Sequence, residues 1–207
     1  MNIIFPPLIE YRSIIVLATP RSGSTALGIN LARKYNLCNY GEAFSVLPPG
    51  DPKEEQKIRM RNKFWENFND DKEFLVKIFP PHKIDQADFE RIIKNNFVIN
   101  LKRRNVVNQI ASYYTSRIRK IPRYPKYTET AVDDIINIDK DILKDTIKYL
   151  LYQLNIAVER EKYGNMILYY EDIISELTNT VLTPTPKPSN YPDLIKTIEE
   201  MLPEITR

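Results

Sequence analysis

The chain is poor in the side chains that staple or metallate small proteins. Its 207 residues hold one cysteine, Cys38, and one histidine, His82. A lone cysteine excludes an internal disulfide and any multi-cysteine metal site, and a lone histidine excludes a histidine-rich one. Cys38 is expected to be a small buried side chain. An excess of one charge is also missing: 30 Lys and Arg against 27 Asp and Glu leave a net charge of +3. That margin does not argue for nucleic acid, and it is compatible with an anionic small ligand. No hydrophobic run reaches the length of a membrane span, so stable membrane insertion is not expected. The opening Met1-Asn2-Ile3-Ile4-Phe5-Pro6-Pro7 lacks a basic n-region and a small-residue cleavage site, so it does not read as a signal peptide. The expectation is a soluble, cytoplasmic protein. With 43% apolar and 28% charged residues, the chain suits one domain, 1–207, with a sizeable core.

What is present is organised around one segment. Ile14-Ile15-Val16-Leu17-Ala18 is an apolar strand, Thr19-Pro20-Arg21-Ser22-Gly23 a short polar loop, and Ser24 opens a helix to about Tyr35 with Leu27, Leu31 and Ala32 inward. Such a strand–loop–helix gathers backbone N–H groups, hydroxyls and one cation around a point suited to a phosphate or sulfate group. It nearly fits the Walker A pattern G-x-x-x-x-G-K-[ST]. However, Ala18 replaces the first glycine and Ser24 stands where the lysine belongs. The cation is Arg21, inside the loop.

Further strands are expected at Phe74–Phe79, Phe97–Arg103 and Met166–Tyr170. Helices are expected from Asp51-Pro52, over 85–95, from Asn105 to about Lys120, over 139–163 and at the C-terminus. Asp51 can cap its helix, with Glu54 completing a capping-box pattern. Met60, Phe64 and Phe68 at four-residue spacing, with Trp65 alongside, form its packing face. Gly164 stops the long helix. Strands alternating with helices predict an α/β fold with a largely parallel sheet flanked by helices, in which ligands sit beyond the carboxyl ends of the strands. Arg21, Lys77 and Arg104 all lie at or near such ends.

A second segment, Lys102-Arg103-Arg104-Asn105-Val106-Val107-Asn108-Gln109-Ile110-Ala111-Ser112, puts an arginine at a strand end and a serine about two helical turns later. Guanidinium and hydroxyl so placed can grip one phosphate. Two anion sites on neighbouring strands imply a ligand with two separated anionic groups.

In these two segments the chain resembles the sulfotransferases that use 3′-phosphoadenosine 5′-phosphosulfate. It is most similar to the bacterial carbohydrate and lipopolysaccharide enzymes and the tyrosylprotein group. Thr19–Thr25 looks like their 5′-phosphosulfate loop and Arg104 to Ser112 like their 3′-phosphate motif; Tyr170-Glu171-Asp172-Ile173 also resembles a family segment. The resemblance implies the sulfotransferase fold, a P-loop-like three-layer α/β/α arrangement. It implies that Arg21, Ser22, Gly23, Ser24, Thr25 and Ala26 hold the phosphosulfate and that Arg104 and Ser112 hold the 3′-phosphate. It further implies a hydroxyl-bearing glycan, glycolipid or small-metabolite acceptor, 3′,5′-adenosine bisphosphate as product, and no metal.

An acceptor hydroxyl needs a general base within hydrogen-bond reach. Glu42 matches the family's acidic position, and His82 is the competitor; Phe79 occupies the place of the cytosolic enzymes' histidine. Lys77 either stabilises the transferring sulfuryl group or snorkels to the surface. The family's nucleotide-closing Gly-x-x-Gly-Asp-Trp-Lys segment is absent. The tail Thr183–Tyr191, with Lys187 as a phosphate contact, is a candidate replacement. The basic stretch Arg117, Arg119, Lys120, Arg123 and Lys126 could receive an acidic acceptor or solubilise the surface. Two alternatives stand beside this reading: a P-loop kinase or nucleotide hydrolase, and a non-catalytic nucleotide-binding module that keeps Arg21, Arg104 and Ser112.

Overall fold

A computed structural model describes residues 11–47, 50–119, 134–177 and 187–206. The apolar runs form five strands: β1 (Ile14–Ala18), β2 (Cys38–Asn39), β3 (Phe74–Ile78), β4 (Phe97–Lys102) and β5 (Met166–Tyr169). Every pairing is parallel, in the order β2-β3-β1-β4-β5. Parallel strands need crossovers, and helices supply them. They are α1 (Ser24–Lys34), α2 (Glu54–Asn69), α3 (Gln86–Ile93), α4 (Val106–Ile118), α5 (Lys140–Glu159), α6 (Tyr170–Leu177) and α7 (Tyr191–Ile205).

The central strands are buried on both faces, as their unbroken apolar character requires. Ile14, Val16 and Ala18 pack with Leu27 and Leu31 of α1. Ile15 and Leu17 pack on the opposite face with Phe44 and with Phe64 of α2. Phe64 is fully buried and meets Tyr40, Phe44, Trp65 and Phe74 edge-on, so the aromatic stripe of α2 is core. A third apolar cluster joins α4, α5 and α7 through Tyr114, Leu143, Ile147, Leu194 and Ile198. The result is the expected P-loop-like α/β fold, a parallel sheet flanked by helices. Among the described residues no helix is long and apolar enough to cross a membrane.

Three local expectations need correction. Cys38 is exposed, because it lies on the two-residue edge strand β2, too short to show any periodicity. The capping contacts of Asp51 and Glu54 form over a preliminary turn: Lys53 N–H donates to Asp51 Oδ1 (2.8 Å) and Gly50 N–H to Glu54 Oε2 (3.2 Å), and α2 itself starts at Glu54. The long helix breaks at Glu159 into a 3-10 turn, Arg160–Tyr163, before Gly164. Gly164 lies so close to Asn100 that a Cβ would meet its amide nitrogen at 1.8 Å.

The topology fixes where a ligand fits. From β1 the chain departs through α1 towards β2; from β4 it departs through α4 towards β5 on the other side. The loops after these adjacent strands therefore diverge, which opens a crevice at the carboxyl edge between them.

Candidate functional site

The loop after β1 is held in an unusual backbone path. Arg21 has φ 63° and Gly23 φ 85°, both left-handed. Gly23 is the N-cap of α1 and supplies no side chain to its first turn, which leaves backbone N–H groups for a ligand. The position demands glycine for a second reason: a Cβ there would lie 2.3 Å from Cδ2 of Tyr170. Gln109 of α4 braces the other side, its Nε2 donating to Thr19 Oγ1 (2.8 Å) and to the Pro20 carbonyl (2.7 Å). Inside the loop, the buried Ser22 hydroxyl has no hydrogen-bond partner among the described residues.

The two sequence motifs do meet, through different atoms than the spacing implied. Arg21 Nε donates to Ser112 Oγ at 3.1 Å, so the loop cation and the α4 serine share one spot. Arg103 Nη1 donates to the Arg21 carbonyl (3.1 Å) while its guanidinium covers the Tyr170 ring at 5.0 Å. Arg104, expected beside Ser112, is instead held by both carboxylate oxygens of Asp172, one at 2.7 Å, and stacks on Tyr169 at 4.1 Å with its side chain 51% exposed. The Tyr170-Glu171-Asp172 run is thus consumed by three separate ties. Tyr170 covers Gly23, Asp172 takes Arg104, and Glu171 accepts from the N–H groups of Arg104 (3.0 Å) and Asn105 (3.2 Å).

These ties set local proton affinities. Burial pushes the Glu171 carboxyl up, but the two N–H donors and the nearby Arg103 together pull it below its ordinary value. The hydrogen bond from Arg104 lowers Asp172 and raises Arg104 in return. Burial raises the phenols of Tyr170 and Tyr191, and the fields of Arg103 and Arg21 oppose it at both.

On the other flank of α1, Lys77 does not snorkel: it is 2% exposed. Its ammonium donates to Thr25 Oγ1 (3.0 Å) and lies 3.4 Å from Glu42 Oε1. The Glu42 backbone carbonyl accepts from Lys57 Nζ and Ser45 Oγ, both at 2.9 Å, which fixes the residue at the rim of α2. Loop, buried cation and carboxylate therefore converge. His82 is differently engaged. Its ring stacks on Phe79 (centroids 5.0 Å apart) and its Nδ1 accepts from the Phe79 N–H at 3.1 Å. A neutral imidazole that accepts at Nδ1 carries its proton on Nε2 and has no lone pair left to take another. Of the two candidates, Glu42 stands beside Lys77 and Thr25, whereas His82 is tied to its own turn.

Ser24 and Ala26 lie in the first turn of α1, with Ser24 buried. Lys187 is exposed, 4.7 Å above the Tyr191 ring. Arg117 donates to Thr146 Oγ1 (2.8 Å) and Arg119 pairs with Asp134, so both serve the helical layer; Lys120, Arg123 and Lys126 lie outside the described residues, as do residues 183–186 of the tail. Arg103, Gln109 and Tyr170 also touch the loop, and the sequence reading gave none of them a role of its own. Arg103 and Arg104 both follow the end of β4 at Lys102, so strand periodicity does not tell them apart.

No family model matches the chain. No curated protein matches it either. Among solved structures it is similar to shikimate kinase from Acinetobacter baumannii in complex with shikimate, at 13% identity over 95% of this chain and 96% of that one, TM-score 0.43. It is also similar to shikimate kinase from Bacteroides thetaiotaomicron, at 12% identity over 92% and 98%, TM-score 0.42. Both are kinases, the class that the sequence left as the alternative to its leading reading. Likeness at this level carries no argument about ligand or reaction.

Proposed function

We propose that the chain is a sulfotransferase that moves a sulfuryl group from 3′-phosphoadenosine 5′-phosphosulfate to an acceptor hydroxyl. The observation that carries this reading is the 3.1 Å contact between Arg21 and Ser112, which joins two anion-binding segments into one site at the β1–β4 crevice. A nucleotide with a phosphosulfate at one end and a phosphate monoester at the other meets both. The acceptor oxygen attacks sulfur in line, and the bond from sulfur to the bridging oxygen breaks. The acceptor proton passes to Glu42, and 3′,5′-adenosine bisphosphate leaves. Charge grows on the bridging oxygen, where Arg21, Lys77 and the α1 N–H groups stabilise it. The acceptor class is a glycan, glycolipid or small metabolite, and the residues quoted need no metal for this chemistry.

One observation favours a second reading, phosphoryl transfer from a nucleoside triphosphate. Lys77 brings to the loop from β3 the ammonium that position 24 lacks. Against it, that ammonium rests on Thr25, the hydroxyl that holds magnesium in a P-loop. Phosphoryl transfer would require Lys77 to leave it. Transfer of labelled sulfate from the donor to a panel of hydroxyl acceptors tests the proposal directly. Labelled product supports it, whereas phosphate transfer from ATP–Mg²⁺ with no sulfate transfer replaces it by the kinase.

A further inference from the structure

A small pocket opens at the carboxyl edge of the sheet, beside the end of α5. Leu17 and Ala18 from β1 and Ile78 and Pro80 around the end of β3 line one side of it. Ala157 of α5 and Arg160 of the 3-10 turn close the other. Ala18 immediately precedes the loop that carries Arg21, so the pocket begins where the anion-binding loop begins. In parallel sheets this edge is where ligands lie, and a mostly apolar recess with a few polar groups is the form their pockets take.

Two cations line this pocket, and their charges are differently engaged. Lys102 pairs with Glu161, whose backbone carbonyl also accepts from Asn100 Nδ2 at 3.2 Å. Arg160 is half-buried and is paired with no carboxylate among the described residues. Its Nη1 donates to the Phe79 carbonyl at 3.3 Å, and its guanidinium rests on the Phe89 ring, 4.8 Å from the centroid. One long hydrogen bond leaves most of a five-donor fork uncommitted. Burial pulls its pKa below the ordinary arginine value, as it does for a guanidinium withdrawn from water without a counter-charge. The turn that carries it is firmly seated, since Gly164 lies too close to Asn100 for any Cβ.

We propose that this pocket receives the acceptor and that Arg160 binds a carboxylate on it, so that the substrate is a hydroxy acid such as a sugar acid. The assignment rests on the sulfotransferase reading above and narrows its acceptor class. Charge balance selects a carboxylate. With Lys102 committed to Glu161, Arg160 contributes one unmatched positive charge, which a monoanion neutralises and a phosphate dianion would exceed. A planar carboxylate also fits the guanidinium fork through two parallel hydrogen bonds. It stays ionised throughout and takes no part in the transfer. The hydroxyl of the same molecule attacks sulfur and gives its proton to Glu42.

The test is transfer of labelled sulfate by the full chain to acceptors matched in pairs, methyl glucuronide with methyl glucoside and mandelate with mandelamide. In at least one pair the acid should have the higher kcat/KM, by about tenfold or more. Arg160→Met should lower kcat/KM for that acid about 10–100-fold, chiefly through KM, and so remove most of its advantage over the neutral partner. Arg160→Lys keeps the charge without the fork and should lose only about 3–10-fold. If Arg160→Met misfolds by circular dichroism, Arg160→Lys and the paired acceptors still decide the matter. Neutral acceptors used as well as the acids, no acid used at all, or equal losses for both members of a pair in the variants would overturn the assignment without touching the donor reading. Acid-selective phosphate transfer from ATP–Mg²⁺ in place of sulfate would overturn the donor reading and keep the pocket.

Discussion

Lys77 lies between two oxygen partners in the core, Thr25 Oγ1 and Glu42 Oε1, and its ammonium is almost wholly removed from water. A buried charge is tolerated only while paired. Glu42→Ala should therefore cost about 3–5 kcal/mol of stability in denaturant unfolding, because the buried ammonium loses its carboxylate. Glu42→Gln keeps an oxygen there and should cost much less. It should still bind nucleotide while turnover falls about 10²–10⁴-fold, the range of a lost general base. His82→Ala should retain turnover, since its Nδ1 is occupied by the Phe79 N–H. Assay of both variants with any productive acceptor checks the assignment. Gly23→Ala combines a left-handed backbone with a collision against Tyr170. It should cost at least about 1–3 kcal/mol and release the Tyr170 ring, read as lost stability and changed tyrosine fluorescence. At this scale the sequence exposed Arg21, Glu42 and Lys77 because each sits beside a strand end or a motif. It could not show that Lys77 turns inward, since only the three-dimensional meeting of β3, α1 and the Glu42 loop supplies its partners.

Elements are held to one another by ties of quite different kinds. The junction of β5 and α6 with α4 is ionic, through Glu171 and Asp172. Both carboxyls titrate below their ordinary values in the folded chain. They therefore stabilise it above their unfolded pKa, about 4, and that contribution is lost as pH falls through the lower folded values. Asp172→Asn should flatten the acid limb of a plot of unfolding midpoint against pH between about 2 and 5, with little change in its shape above pH 6. The attachment of α7 is apolar, through Leu194 and Ile198 against α4 and α5. Leu194→Ala should cost about 2–5 kcal/mol. Long periodic segments such as α1 and α5 were legible from their spacing. The two-residue β2 was not, and the exposure of Cys38 follows from that edge position rather than from its chemistry. The three ties of Tyr170, Glu171 and Asp172 had no periodic signature, since they join segments about 65 residues or more apart in the chain.

For the whole molecule, the parallel order β2-β3-β1-β4-β5 brings the β1 and β4 loops side by side and sends their helices apart. This places Arg21 and Ser112 in contact across 91 residues of sequence. The pairing of the two motifs was inferable once strands and helices were seen to alternate. Which of Arg103 and Arg104 reaches the Arg21 carbonyl was not legible, since both follow the end of β4 at Lys102 and only the tertiary meeting with the loop and α6 separates them. The central claim is one site with two anion subsites, fitted to a bisphosphorylated nucleoside without magnesium. Calorimetric titration of the full chain with 3′,5′-adenosine bisphosphate in chelator, set beside ATP–Mg²⁺, tests it most directly. The account predicts binding of the bisphosphate at least about tenfold tighter, a margin of about 1.4 kcal/mol. Preferential binding of ATP–Mg²⁺ would contradict it.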